Sequence, residues 1–133
     1  MDEVRQSALE WIAKARRDLQ AARLMIESEE PLLDTGAYHC QQAGEKALKG
    51  WLTFRGTPVI KTHDLVHLIR ECGRLDASFM EMSEMADFLS PFAVDFRYPG
   101  DLFEPPKEEA EAALGFAERI VVFVEGKIGA SAS

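Results

Sequence analysis

Residues 38–49 have the sequence YHCQQAGEKALK, which separates apolar from polar side chains around a helix. At about 100° per residue, small and apolar side chains gather on one side: Ala37, Cys40, Ala43, Gly44, Ala47, Leu48 and Trp51. Polar side chains gather on the other side: Tyr38, His39, Gln42, Glu45, Lys46 and Lys49. Because glutamine, histidine and tyrosine can hydrogen-bond or stack with a ligand, we interpret this second face as either a binding surface or a solvated back.

Helical spacing of apolar residues extends to both sides of this stretch. A long amphipathic helix is predicted over residues 4–26, and it must end before Pro31 because proline cannot continue a helix. The next helix, which carries the quoted stretch, is predicted to take Asp34 or Thr35 as its N-terminal cap. It is predicted to end near Gly56, since glycine tolerates the left-handed closing conformation.

The second half of the chain continues the helical pattern. A short third helix is predicted after an N-cap at Thr62, and a fourth segment over residues 79–96 is interrupted at Pro91. The last helix is predicted to start at Pro106 and to bury an apolar stripe that reaches Ile128.

No segment alternates with a period of two, so the sequence predicts an all-α, up-and-down bundle of about five helices. The bundle forms one domain over residues 1–128, followed by a tail at residues 129–133 that is expected to fray. Neither a secretory signal pattern nor an apolar run of the roughly 20 residues that cross a bilayer is found. With Cys40 and Cys72 at apolar helical positions, the protein is expected to be soluble and cytoplasmic, without a disulfide.

Charge limits the partners that the chain can bind. The net charge is −8, which disfavours nonspecific attraction to a long polyanion. Lys46, Lys49, Arg55 and Lys61 nevertheless form a locally basic zone, so nucleotide or nucleic-acid binding would depend on that zone.

Motifs for common chemistry are absent from the sequence. Neither glycine-rich phosphate-binding motif occurs. His63 and His67 have the spacing of two metal ligands on one helix, but the glutamate of that motif and a third ligand are missing, so no metal is expected. Cys40 falls on the apolar face, where a reactive thiolate is disfavoured.

Arg97 and Tyr98 form an unusual cluster at the junction between a helix and a rigid turn. The arginine could hold a phosphate and the tyrosine could stack on a base. A structural ion pair of Arg97 with Asp95 or Glu45 is an alternative that the sequence leaves open.

Four blocks stand out when the chain is considered as a whole. They are AxxDLxxAxxL at residues 15–25 with Met25 at the last place, YHCQQAGEKALKGWL at residues 38–52, KTHDLVHLI at residues 61–69, and RYPG at residues 97–100. In this order they resemble the HEPN domain (higher eukaryotes and prokaryotes nucleotide-binding). The resemblance implies a compact bundle of about five helices, often a homodimer, and frequently encoded beside a small nucleotidyltransferase.

Many HEPN proteins are ribonuclease toxins whose active site is an arginine followed four to six residues later by a histidine. This chain departs from that pattern. No arginine lies four to seven positions before His39, His63 or His67, and no histidine follows Arg97. The ribonuclease interpretation therefore loses the group that would titrate beside the attacked phosphate.

The resemblance places the candidate nucleotide-binding residues in its most recognisable blocks: Gln42, Lys46, Lys49, Lys61, His63, Arg97 and Tyr98. Thr62 and Asp64 are expected to cap a helix, and Glu45 with Lys49 forms an i, i+4 ion pair. No catalytic residue, cofactor or metal ligand is assigned.

Three functions remain open. The first is a noncatalytic module that binds a nucleotide or RNA and works with a small nucleotidyltransferase. The second is a ribonuclease toxin with a nonstandard site, in which His39 or His63 is the base and Arg97 steadies the phosphate. The third is a purely structural dimerisation or docking domain.

Assembly is also predicted. Wide apolar stripes that include Trp11, Trp51 and Phe54, together with the resemblance, predict a two-fold homodimer. Its cleft is expected to be lined by the region of Lys46 and Arg97. No contact with a membrane is expected.

Overall fold

The computed structural model describes residues 2–93 and 104–132. Its helices are α1 (Asp2–Ile26), α2 (Leu33–Phe54), α3 (Leu65–Leu75), α4 (Ser83–Leu89) and α5 (Lys107–Ala132). Two short 3₁₀ helices, Ala77–Met82 and Ser90–Ala93, flank α4. These two ranges contain no strand, so the predicted all-α bundle of about five helices is confirmed.

α2 is the central helix of the bundle and contacts each of the other four helices. α1 packs against it in the opposite direction, because Gly36 faces Ile26 at the end of α1 and Gly50 faces Trp11 near its beginning. A Cβ added at Gly36 would lie 2.6 Å from the Ile26 side chain, and one at Gly50 would lie 2.9 Å from Cβ of Trp11. Glycine at these two positions therefore allows the close approach of α1 and α2.

The core contains apolar side chains from every helix. Trp51 of α2 packs against Phe79 with ring centroids 4.3 Å apart, and Phe79 meets Phe123 of α5 edge-on at 5.0 Å. Burial of a large apolar side chain contributes about 1.5–3 kcal/mol, so this aromatic group is a substantial part of the stability. Because Trp51 is only 2% exposed, it does not belong to the free apolar surface on which the homodimer prediction partly rested.

The cap predicted for α2 was wrong, and of the two residues expected to cap α3 only Asp64 does so. α2 begins at Leu33, and Leu32 precedes it without a side-chain cap, whereas Asp34 accepts a hydrogen bond only from the adjacent Thr35 N–H at 2.8 Å. Burial of Leu33 in the core places the N-cap at Leu32, two residues before Asp34 and three before Thr35.

The cap of α3 is Asp64 rather than Thr62. Its Oδ1 accepts hydrogen bonds from the N–H groups of Val66 at 3.0 Å and His67 at 3.2 Å. The Thr62 hydroxyl oxygen accepts from the Asp64 N–H at 3.1 Å, so it orders the residue before the helix instead of the helix itself.

The other helix ends follow from glycine and proline. Gly56, with φ of 79°, follows α2, as predicted. α4 ends at Leu89 and Pro91 lies in the 3₁₀ helix that follows, which confirms the predicted interruption. α5 begins at Lys107, directly after Pro106, and continues to Ala132, so the segment expected to fray is helical up to that residue. Over the described ranges, no helix combines the length and apolar character that a membrane span requires.

Candidate functional site

The polar face of α2 is largely covered by neighbouring parts of the chain. Glu45 and Lys49 are only 4% and 7% exposed, and Gln41 beside them is fully buried. A buried polar group is destabilising unless it is hydrogen-bonded or paired. The interpretation of this face as a solvated back is therefore wrong for these residues, and their partners determine what the face can do.

One set of partners is built around Asp18, which α1 buries against α2. Its Oδ1 lies 2.8 Å from Nδ1 of His39, and its Oδ2 accepts a hydrogen bond from Lys46 Nζ at 2.7 Å. The side chains of His39 and Lys46 remain about a quarter exposed. We call these three residues the Asp18 triad. The Lys46 ammonium neutralises the buried carboxylate, while the imidazole is held by a hydrogen bond.

A second set has the same composition. Oε2 of Glu45 accepts a hydrogen bond from Lys49 Nζ at 3.0 Å, so the predicted i, i+4 pair is confirmed. Oε1 of Glu45 lies 3.0 Å from Nδ1 of His63, whose side chain is 74% exposed. We call these residues the Glu45 triad. In both triads a lysine and a histidine share one buried carboxylate, and the histidine uses Nδ1.

Two glutamines complete the network around Glu45. Nε2 of Gln41 donates to the main-chain oxygen of His63 at 2.9 Å and to Oε1 of Glu45 at 3.2 Å. Nε2 of Gln42 donates to Oε1 of Gln41 at 2.7 Å. Throughout the described residues, no buried side-chain nitrogen or oxygen lacks a hydrogen-bond partner. The network is therefore fully satisfied, as a stable buried polar cluster requires.

Asp18 and Gln41 were omitted from the candidate site residues, although both fall in the blocks that carry the resemblance. A signal for both was available, because each falls at an inward position of its helix. Asp18 lies between Ala15 and Ala22 on the apolar stripe of α1, and Gln41 lies four residues after the buried Ala37 and three before the buried Gly44. A polar residue at an apolar helical position indicates a buried partner.

The basic zone predicted from the sequence is neutralised at two of its four residues. Lys46 and Lys49 are paired with carboxylates, and the Arg55 guanidinium lies 5.1 Å from the centroid of the Trp51 ring. Lys61 is exposed and makes no ion pair with any described residue. Within the described residues, Arg55 and Lys61 are therefore the members of this zone whose charge no carboxylate compensates, and of these two only Lys61 is a predicted nucleotide-binding residue.

The structure unites part of the predicted site. Gln42, Lys49 and His63 meet around Glu45, whereas Lys46 belongs to the Asp18 triad. Lys61 lies two residues before His63 on the connection into α3. Two further candidates, Arg97 and Tyr98, and the alternative partner Asp95 lie outside the described residues.

The remaining reactive side chains are not arranged for catalysis or metal binding in the described parts of the chain. Burial raises the pKa of Cys40 to about 12, and burial together with the nearby Glu71 carboxylate raises the pKa of Cys72 to about 12. Both thiols therefore stay protonated at neutral pH. No group of three or more histidine, cysteine, aspartate or glutamate side chains suited to a metal ion occurs among the residues described.

The fold and this network define a small all-α domain built around a central helix that carries a buried polar cluster. The family model of the HEPN domain matches residues 8–127, and the chain belongs to this family. HEPN domains are helical modules of the nucleotide-binding or ribonuclease type, and they are commonly dimeric.

Two crystal structures are similar to this chain. That of ST0689, an archaeal HEPN homologue, is 28% identical, covers 91% of this chain and 97% of its own, and has a TM-score of 0.72. That of TT1696 from Thermus thermophilus is 31% identical, covers 90% of this chain and 97% of its own, and has a TM-score of 0.75. A comparison with curated proteins gives no match.

Proposed function

We propose that this protein is a noncatalytic module that binds a nucleotide or a short RNA end on the polar face of α2. Among the described residues, the contacts are Gln42, Lys46, Lys61 and His63. Arg97 and Tyr98 remain proposed contacts from the RYPG block. Lys49 acts through Glu45, because its ammonium is buried against that carboxylate.

The observation that carries this proposal is the pair of triads. In each one, a carboxylate that is less than a tenth exposed fixes a histidine that is partly or mostly exposed. Side chains held in advance lose less conformational freedom when a ligand binds, so the same contacts give more affinity. A domain with a purely structural network would have no need to fix His63, whose ring lies mostly in solvent.

The charge of the site favours a short ligand over a long polyanion. Within the two triads, the charges of Asp18 and Glu45 cancel those of Lys46 and Lys49. Lys61 is then the one uncompensated cation among the proposed contacts in the described ranges. The whole chain carries a net charge of −8, which repels an extended phosphate backbone. Lys61 and the proposed contact Arg97 are then the cations that can neutralise a phosphate. We therefore expect affinity to depend weakly on salt, with a log–log slope of about −1 to −2 instead of the steep slope of a protein with many phosphate contacts.

We also propose that the module serves a nucleotidyltransferase partner and forms a two-fold homodimer. The support is family membership, since HEPN domains are commonly dimeric and the resemblance associates them with small nucleotidyltransferases. A bound nucleotide or RNA end is a ligand that such an enzyme could use. Binding is accordingly measured both for the protein alone and with the partner.

Calorimetry with ATP, GTP and short RNAs at low and high salt tests the proposal. Lys61→Ala is expected to weaken binding, whereas Lys107→Ala, which removes an exposed lysine at the start of α5, should leave it unchanged. Absence of binding up to millimolar nucleotide, with or without the partner, would refute the proposal. If Lys46→Ala only lowers the melting temperature and no ligand binds, the structural alternative is favoured.

The contacts of two histidines favour a second candidate function, ribonuclease activity. Both His39 and His63 contact a carboxylate through Nδ1, and this arrangement orients imidazole bases in hydrolases. The missing arginine–histidine motif argues against it. Incubation of labelled RNA with wild type, His39→Ala, His63→Ala and Arg97→Ala decides the question. Cleavage that is lost in a histidine variant supports a nonstandard ribonuclease, and cleavage that is equal in all four proteins indicates contamination.

A further inference from the structure

His63 is an exposed side chain with unusually complete anchoring. Its ring contacts Oε1 of Glu45 at 3.0 Å, and its main-chain oxygen accepts a hydrogen bond from Nε2 of Gln41 at 2.9 Å. Both anchors are buried, whereas the His63 side chain is 74% exposed. An exposed imidazole normally samples several rotamers. Here the Gln41 bond fixes the main chain of His63 and the Glu45 bond favours one orientation of its ring.

The same contacts determine which ring nitrogen carries hydrogen. Lys49 Nζ donates to Oε2 of Glu45 and Gln41 Nε2 donates to Oε1, so both oxygens of Glu45 act as hydrogen-bond acceptors. Nδ1 of His63 must therefore donate to it. In the neutral ring Nε2 is then the acceptor, and it lies on the ring edge away from Glu45. No described residue bonds Nε2, so it is available to a ligand.

As a hydrogen-bond acceptor, Nε2 of the neutral His63 ring distinguishes between the groups of a nucleotide. Phosphate oxygens are also acceptors and cannot hydrogen-bond to it, whereas a ribose hydroxyl can donate a hydrogen bond to it. The hydroxyl is also the group that distinguishes a ribonucleotide from a deoxyribonucleotide. Lys61, two residues earlier in the chain, supplies a cation suited to the phosphate of the same ligand.

We propose that Nε2 of His63 accepts a hydrogen bond from a ribose hydroxyl of the bound nucleotide, and that Gln41 and Glu45 are positioning residues for this contact. The inference rests on the proposed nucleotide-binding function and adds a substrate class to it: the site prefers ribonucleotides to deoxyribonucleotides. One hydrogen bond at a partly exposed site corresponds to a preference of about 3- to 10-fold.

Titration calorimetry with ATP, 2′-deoxy-ATP and 3′-deoxy-ATP, and with a short oligoadenylate RNA and its DNA counterpart, measures this preference. Wild type is expected to bind ATP and the RNA about 3- to 10-fold more tightly than the analogue that lacks the recognised hydroxyl. His63→Ala should remove the preference while still binding the ribonucleotide. His67→Ala, which removes a histidine four residues further along the chain, is the matched control and should keep the preference.

Glu45→Gln tests the positioning role, with its melting temperature checked beforehand. The variant should show a smaller preference for ribonucleotides. In the wild type, long-range proton–nitrogen NMR correlation should show the hydrogen on Nδ1 of His63. Equal binding of all analogues by wild type, or a preference that survives in His63→Ala, would overturn the inference and leave the proposed function intact. Hydrogen on Nε2 in the neutral wild-type ring would also overturn it. Absence of binding by any probe would instead defeat the proposed function.

Discussion

Replacing Lys49 by methionine removes one charge from a buried ion pair while it keeps a side chain of similar shape. Lys49 Nζ lies 3.0 Å from Oε2 of Glu45, and the two side chains are only 9% and 6% exposed. In the variant, the Glu45 carboxylate stays buried with Gln41, Gln42 and His63 as its remaining partners. The substitution therefore leaves a buried carboxylate without its ammonium.

The expected cost follows from the burial of the pair. Removal of one partner of a buried salt bridge typically destabilises by 3–5 kcal/mol. Oε1 of Glu45 keeps its three hydrogen bonds, so we expect the lower end, about 3 kcal/mol. The entropy of unfolding is about 2.1 cal/mol/K per residue, or about 0.28 kcal/mol/K for the 133 residues of this chain. The melting temperature of Lys49→Met should therefore fall by about 11 °C.

Urea and thermal unfolding, followed by far-ultraviolet circular dichroism at one fixed protein concentration, measure the change. Lys61→Met is the matched control, because Lys61 is exposed and makes no ion pair with the described residues, and it should stay within about 0.5 kcal/mol of wild type. The double variant Lys49→Met with Glu45→Met removes both charges and should regain most of the loss. A Lys49→Met protein within about 0.5 kcal/mol of wild type, or a double variant less stable than the single one, would refute the reasoning.

Three other expectations follow from the structure. Gly50→Ala forces a Cβ to 2.9 Å from Trp11 and should destabilise the protein by about 1–3 kcal/mol. Gly126→Ala on α5 introduces a Cβ with nothing within 4 Å and should stabilise it by about 0.5–1 kcal/mol. Urea unfolding of both variants measures the two changes. Hydrogen bonds from Lys127 and Ser78 lower the pKa of Asp76 from 3.8 to about 2. The stabilisation by ionised Asp76 is therefore complete above about pH 4 and disappears as the pH falls through about 2. Unfolding curves over a pH series should show Asp76→Asn less stable than wild type at pH 7 and equally stable at the acid end. Light scattering at micromolar concentration should give twice the 14.9 kDa of one chain, and a mass near one chain would contradict the proposed homodimer.

Helical periodicity predicted the apolar side of α2 correctly, because Ala37, Cys40 and Ala43 are all buried. It could not predict that the opposite side is also covered. Periodicity shows which side of a helix is more apolar, but coverage of the other side depends on where distant segments pack. Here Asp18 lies 21 positions before His39, and that pairing exists because α1 and α2 are antiparallel.

The cap of α2 and one of the two caps expected for α3 were predicted incorrectly for a related reason. Asp34 and Thr35 have the residue types of a cap, but burial of Leu33 determines where α2 begins. At α3, two adjacent cap-forming residues competed, and Asp64 bonds the free N–H groups while Thr62 bonds Asp64. The capping preference of a residue type is weaker than tertiary packing. Residue type therefore predicted the turn before each helix, whereas packing determined which residue is the N-cap.

The arrangement of the network determines which substitutions can separate a binding role from a structural one. Asp18 and Glu45 are buried, so their replacement lowers stability whatever the protein binds, and the resulting loss of ligand binding would not be informative by itself. His63 and Lys61 are exposed, so a truncation there leaves the core intact. A change in ligand affinity without a change in melting temperature at these two positions indicates a role in binding and not in folding. The exposed ends of the network, and not its buried carboxylates, therefore decide between the two functions.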